Sequence, residues 1–311
     1  MLVFQAAGLA AAQPAYPSRP LRVISGAPPG TPGDVVARVI AEPLAVQLGQ
    51  PVVIENRPGA INTIGLAAVA RAEPDGHTLG ILGLPSTVAP GLLASMPYDT
   101  RRDLAPVRQL SWVSNVLVMR PGTPLASVQA LVAAAKPRPN MLTFASGGNG
   151  TPAHLAAELF SIAAGIRMRH VPFKGAVAGV GAVMGEQVDM MFAVAPSVLK
   201  QVQAGKLRAL ATPAPERLPL LPDVPTLAEL GYAVDVRDWH GIVAPAATSE
   251  AALSRLDSAL GAVLAMGEVR TRLASVGLEA AQSSRHEFRT HIERELERWA
   301  RLVREAGIRA D

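Results

Sequence analysis

The chain has 311 residues, enough for two ordinary domains with a core in each. It is 49% hydrophobic and 17% charged, which excludes a disordered chain, and its net charge of +4 rests on scattered arginines rather than a nucleic-acid-binding stripe. Cysteine is absent, so disulfides, zinc–thiolate sites and a cysteine nucleophile are excluded.

Met1 to Ala12 is apolar and alanine-rich, and Ala10-Ala11-Ala12 offers a small-residue cleavage site ahead of Gln13 and Pro14. This is the body of a secretory signal without its basic start, so residues 1–15 read as an export leader truncated at its N-terminus, and the protein as periplasmic. About a dozen apolar residues is too short to span a bilayer, and no later segment offers 18 uninterrupted ones.

From Arg19 onward strand and helix patterns alternate, which predicts an α/β architecture with mostly parallel sheets. The stretch 21–25 is a strand, followed by the loop "GAPPGTPG" and a helix from Asp34 to about Leu48. Asp34 is expected to be its N-cap, and Pro43 to kink or break it. Residues 52–55 form the next strand, residues 64–72 a helix and residues 77–83 a third strand. A second series begins near Val116: a strand, a helix capped by Ser127, strand 142–146, helix 152–164, strand 168–171, helix 176–184, strand 188–194, helix 197–204 and strand 207–211. Five prolines make residues 212–225 an extended connector, after which residues 235–245 resume a strand. At the C-terminus Phe288, Ile292, Leu296, Trp299 and Val303 recur at spacings of four and three, the buried stripe of an amphipathic helix, with Glu297 and Arg301 placed to pair on another face.

The stretch "LTFASGGNGTPAHLAAELF" (142–160) is the most informative for chemistry. Gly148, Gly150 and Ala153 satisfy G-x-G-x-x-A, the dinucleotide fingerprint, but the acidic residue expected after the following strand is missing from residues 167–172. Arg167 or Arg169 would suit a 2′-phosphate, so an NADP-dependent oxidoreductase is the alternative reading. The leading one is anion binding without a cofactor: free amides at a helix start, backed by the helix dipole, hold any carboxylate. Ser146, Asn149 and Thr151 add side-chain partners there, and the same equipment recurs at Gly30, Thr31 and Gly33 before Asp34. There is no G-x-S-x-G elbow, no Walker A frame around Lys174, and no metal-ligand spacing among the six histidines. No catalytic residue, metal or cofactor is therefore assigned.

Several longer stretches carry a resemblance: "VIENRPGA" (53–60), "AEPDGHTLGIL" (72–82), "SGGNGTPAHLAAELF" (146–160), "RHVPFKG" (169–175), "GEQVDMMF" (185–192), "LPDVPTLAELG" (221–231) and "WHGIVAPA" (239–246). In order and without large gaps they resemble the Bug family, the TctC-type extracytoplasmic solute receptors of tripartite tricarboxylate transporters. The resemblance implies a type II periplasmic binding-protein fold, two α/β domains with a ligand cleft between them. It places crossovers near 112–118 and 235–242, and hence domain one at 16–114 plus 238–311 and domain two at 115–237. It implies a monomer that holds a small carboxylated solute and serves a membrane permease, with no nucleic acid. Carried onto this chain, Thr31, Pro32, Gly33 and Asp34 would contact the ligand from domain one. Ser146, Gly148, Asn149, Gly150, Thr151 and His154 would do so from domain two, and turns at Ser86–Thr87, Phe173–Lys174 and Ala195–Ser197 would line the remainder. The chain departs from the family pattern at Ile61-Asn62-Thr63, where glycines are usual, and at His77 and Phe173, where tyrosines are; the bulkier 61–63 loop is expected to narrow the cleft.

Overall fold

A computed structural model describes residues 16–308, and the leader-like residues 1–15 lie outside the described residues. The chain runs β1 (Leu21–Ser25), α1 (Pro32–Leu48), β2 (Val52–Asn56), α2 (Thr63–Ala70), β3 (Thr78–Gly83), α3 (Leu84–Leu92), α4 (Thr100–Asp103) and the long β4 (Leu104–Met119). It continues α5 (Val128–Ala135), β5 (Thr143–Ser146), α6 (Pro152–Ala164), β6 (Arg169–Pro172), α7 (Ala176–Met184), β7 (Met190–Val194), α8 (Ala195–Gln203) and β8 (Arg208–Ala211). It closes with β9 (Arg237–Pro245), α9 (Glu250–Ala265), α10 (Gly267–Ser275), β10 (Leu278–Ala280) and α11 (Arg285–Ala306).

The strands lie in the order β2-β1-β3-β9-β4-β7-β5-β6, with β8 and β10 also paired to β4. β1 is parallel to β2 and β3, and β5 is parallel to β6 and β7, so each half repeats the α/β pattern that the alternation predicts. β4 joins them. Leu104–Ser114 pair antiparallel with β9, whereas Asn115–Met119 pair with β7, and the change of partner falls between Ser114 and Asn115.

Local chemistry explains the element ends. Ser127 Oγ accepts from the Ala130 amide, and Ser284 with Glu287 forms a reciprocal capping box that starts α11. The stripe Phe288, Ile292, Leu296, Trp299 and Val303 is buried, and Trp239 and Phe288 meet edge to face at 5.8 Å. A Cβ on Gly241 would fall inside the Phe288 ring, so only glycine lets β9 and α11 approach so closely.

Four local expectations are corrected. Thr31, not Asp34, occupies the N-cap of α1, because Pro32 takes the first helical position where its missing amide is harmless. Pro43 does not divide α1, which runs unbroken from Pro32 to Leu48. Glu297 reaches Arg101 at 3.7 Å rather than Arg301. Ser86 and Thr87 lie not in a turn but within α3, buried, and Ala195–Ser197 form the first turn of α8.

Candidate functional site

Two loops of the same local build end at α1 and α6. Gly30 and Gly150 adopt left-handed φ values of +79° and +72°. The next residues, Thr31 (φ −75°, ψ 159°) and Thr151 (φ −73°, ψ 157°), are extended, and Pro32 and Pro152 open the helices. Each threonine hydroxyl turns back to the carbonyl three residues earlier: Thr31 Oγ1 donates to Pro28 O at 2.7 Å and Thr151 Oγ1 to Gly148 O at 2.6 Å. In each case the side chain three residues beyond the threonine accepts the glycine amide. Gly30 N donates to Asp34 Oδ2 at 2.9 Å, and Gly150 N to His154 Nδ1 at 3.2 Å. Neither threonine therefore caps its helix through its side chain. The first-turn amides carry no side-chain cap, and the positive helix end lies behind them.

Both loops border one cleft of about 780 Å³. Residues 26–29, 31–33 and 58–62 with Pro85 form one wall, and residues 147–149, 151–153 and 174–177 with Met191 and Val194 form the other. Asp238 and His240 of β9 complete the lining. The starts of α2 at Asn62 and of α7 at Gly175 reach the same cleft, again without a side-chain cap. Gly150 marks where the walls converge: a Cβ there would lie 2.7 Å from Leu92 Cδ1 and 3.5 Å from Ile61 Cγ2.

Buried networks stand behind the loops. Asp34, 2% exposed, takes the Gly30 amide, Arg38 Nε at 3.0 Å and Asn56 Nδ2 at 2.9 Å. Burial alone would raise its pKa, but hydrogen bonds from Arg38, the Gly30 amide and Asn56 outweigh it and hold the carboxyl below its ordinary value. On the opposite loop Ser146 Oγ accepts the Gly148 amide at 3.0 Å and meets His170 Nε2 at 2.6 Å. The rings of His154 and His170 stack at 4.2 Å, and Phe144 stacks on His170 at 4.8 Å.

Asp238 and His240 point to the same side of β9, with His240 Nε2 3.7 Å from Asp238 Oδ2. Burial pushes the Asp238 carboxyl up to about 7, against the Trp239 and Leu84 amides that favour its charge and with Glu295 adding to the rise. Burial also lowers the His240 imidazole to about 4. Both groups are consequently neutral in mildly acidic solution. The His240 ring packs on the start of α1, where a Cβ on Gly33 would sit 2.9 Å from His240 Cδ2.

The 58–62 segment carries backbone strain. Ala60, Ile61 and Asn62 take successive φ values of 44°, 54° and 67°, a conformation costly for side-chain-bearing residues and above all for a β-branched one. Thr63 holds the turn through its amide and hydroxyl, both donated to Ala60 O at 3.1 and 2.7 Å. The loop contributes Ile61 to the cleft wall.

Of the residues singled out from the sequence, Thr31, Pro32, Gly33, Gly148, Asn149, Thr151 and Lys174 line the cleft. Asp34, Ser146, Gly150 and His154 lie directly behind the lining, in the networks just described. Ser86 and Thr87 are buried in α3, Phe173 packs into the core of the second half, and Ala195 and Ser197 belong to α8, outside the lining. Sequence reasoning passed over Asp238 and His240, whereas the 61–63 loop it singled out does place Ile61 in the cleft wall. The period-2 pattern of D-W-H-G gave a usable sign for Asp238 and His240, since it puts both on one face of the strand. The dinucleotide reading is not favoured, because the Gly150 amide is already given to His154 and β6 supplies no acid. No group of three or more metal-ligating side chains occurs among the described residues.

Residues 36–308 match the model of the tripartite tricarboxylate transporter receptor family, TctC. The chain is similar to protein BugT of Bordetella pertussis, 38% identical over 97% of this chain and 94% of that protein. Among solved structures it resembles Rpa4515 from R. palustris with adipate (TM-score 0.87, 29% identity, covering 94% of this chain and 99% of that one). It also resembles MatC from Rhodopseudomonas palustris with bound malate (TM-score 0.83, 30% identity, covering 93% and 100%). With its two α/β halves around a cleft, the chain belongs to the TctC, or Bug, family of periplasmic-type solute-binding receptors and is not an enzyme.

Proposed function

We propose that the protein captures a small carboxylated organic solute in the periplasm and presents it, as a monomer, to a permease of the tripartite tricarboxylate type. The observation that carries this reading is the duplicated, side-chain-uncapped helix start at Thr31–Gly33 and Thr151–Ala153 on the two walls of one cleft. Fixed amide dipoles hold a carboxylate without a buried cation and release it when the walls part. Thr31, Gly33, Gly148, Asn149 and Thr151 are assigned as contacts and Lys174 as the cation at the cleft, while Asp34, Ser146, Gly150 and His154 hold the loops in shape. The strand-partner exchange at Ser114/Asn115 supports domain limits of 16–114 plus 238–311 and 115–237. Adipate and malate, found with relatives, support a dicarboxylate as the first class to try. No helix among the described residues is long and apolar enough to cross a membrane, which agrees with a receptor that visits its permease.

The test is a thermal-shift panel of mono-, di- and tricarboxylates, amino acids and aromatic acids. A ligand at 100 times its Kd adds roughly 2.7 kcal/mol, a rise of a few degrees. A flat response across the panel overturns the reading.

A further inference from the structure

Side chains alternate along β9: Asp238 and His240 line the solute cleft, while Arg237 and Trp239 face α11. On that reverse face lies a second cavity of about 440 Å³, bounded by α11, the start of β9, Trp112 of β4 and Pro215 of the connector. Four guanidinium groups line it, those of Arg237, Arg294, Arg298 and Arg301. Asp235 lines the cavity as well, its backbone carbonyl accepting from Arg298, and two further acids nearby are engaged. Glu295 Oε2 accepts the indole N–H groups of Trp239 and Trp299 at 3.3 and 2.8 Å, and Oε1 lies 3.4 Å from Arg298. Glu279 lies 3.6 Å from Arg237, whose guanidinium stacks 4.1 Å over the Trp112 ring. Arg294 and Arg301 have no ion-pair partner among the described residues. Between them His291 is wedged edge-on against Trp112 (5.1 Å) and Trp239 (4.7 Å), and its buried Nε2 has no hydrogen-bond partner.

We propose that this cavity is a second ligand site, distinct from the solute cleft, that takes a small, multiply charged oxyanion of the phosphate type. Guanidinium forks match such oxygens in pairs, and the cavity gathers more positive charge than its acids neutralise. The buried His291 nitrogen gives the polar ring in this wedge a reason, since an orphaned buried polar group is destabilising until it gains a partner. Burial, opposed by Glu295 and reinforced by Arg294, Arg237 and Arg298, lowers the His291 imidazole to about 4, and an anion between these cations reverses that balance. The site draws on both crossover strands and the 212–235 connector, so its occupant touches the segments that join the two halves.

All three tryptophans of the chain, Trp112, Trp239 and Trp299, border or adjoin this cavity, so intrinsic fluorescence reports on it directly. The experiment titrates inorganic pyrophosphate into wild type, into Arg294→Gln/Arg301→Gln and into Val177→Trp. Both arginines are exposed and unpaired, so the first variant keeps the fold; Val177, 82% exposed on the cleft wall, lets the second fill the solute cleft alone. The added tryptophan makes isothermal calorimetry the readout for that variant. Wild type is expected to saturate, the arginine variant to bind at least about tenfold more weakly, corresponding to about 1.4 kcal/mol, and Val177→Trp to bind as wild type does. Equal affinity in wild type and the arginine variant, loss of binding in Val177→Trp, or no saturation at millimolar pyrophosphate would each overturn the proposal. The carboxylate panel run on the arginine variant keeps the two readings separable, because its response belongs to the cleft alone.

Discussion

Asp34→Asn tests whether the first loop is held in shape by one buried carboxylate. In wild type that group receives the Gly30 amide at 2.9 Å, Asn56 Nδ2 at 2.9 Å and Arg38 Nε at 3.0 Å. An asparagine keeps one oxygen, enough for the Gly30 amide, but turns its own NH₂ toward the remaining donors. Hydrogen bonds to a charged group contribute about 1.5–3 kcal/mol each. Solvent screens the half-exposed Arg38, so the loss is counted on the Asn56 bond alone, about 1.5–3 kcal/mol, a fall of about 5 °C in Tm at pH 7. The pH dependence fixes the cause. A carboxyl whose folded pKa is depressed stabilises the fold above the unfolded value and loses that contribution as pH falls through the folded value. Melts recorded from pH 7 down to pH 3 should therefore show the two proteins converging in acid. Solute affinity should fall as well, since the 31–33 wall is no longer fixed. A variant within about 1 °C of wild type at pH 7, or a gap that stays constant into acid, would refute the assignment.

Gly33→Ala should weaken solute binding because its methyl group meets the His240 ring at 2.9 Å, and adding His240→Ala should restore room, giving a coupling of about 1 kcal/mol in a double-mutant cycle of stability. Independent effects that simply add would count against this packing. Asp238→Asn should change the pH profile: a carboxyl raised to about 7 makes the native state the stronger proton binder, so wild type loses stability as pH rises from about 4 to 7, and the variant should gain on it steadily over that range by urea unfolding. His240 works in the opposite sense, costing stability as pH falls below 6.5, and its ring signals in an NMR titration should stay those of neutral imidazole until near pH 4. Ile61→Gly should stabilise the fold by about 1 kcal/mol through relief of a left-handed β-branched residue, less the entropy of a new glycine; a destabilised variant would show that the Ile61 side chain contributes more than its backbone costs.

Much of this architecture is legible in residue patterns. The strand–loop–helix alternation, the Ser127 cap and the C-terminal stripe all follow from local rules that the packing does not oppose. The misses have identifiable causes. The resemblance puts a turn at Ser86–Thr87, yet these residues belong to the helix Leu84–Leu92: Pro85 stands in its first turn and the helix ends two residues after Pro90. Asp34 has the composition of a cap but sits three residues inside the helix, because Pro32 fixed the start earlier. Ser146, Gly150 and His154 carry polar groups suited to a ligand, but those groups are turned onto one another, and only the fold shows which donors are already engaged. Asp238 and His240 became part of the cleft through the pairing of β9 between β3 and β4, a long-range fact that no local window contains.

The sixteen residues of β4 run from Leu104 to Met119 as one strand shared by both halves, its ladder to β9 shifting register at Pro106/Arg108 and Gln109/Ser111. The molecule therefore has no seam along which it could be inherited in pieces: a gene product ending at Ser114 would lack β9, the strand that joins β3 to β4, and one beginning at Asn115 would strip β9 and β10 of their β4 partner. Recombination among relatives can exchange the distal half only as an insert bounded by both crossings, and each such graft must keep the register of a single strand.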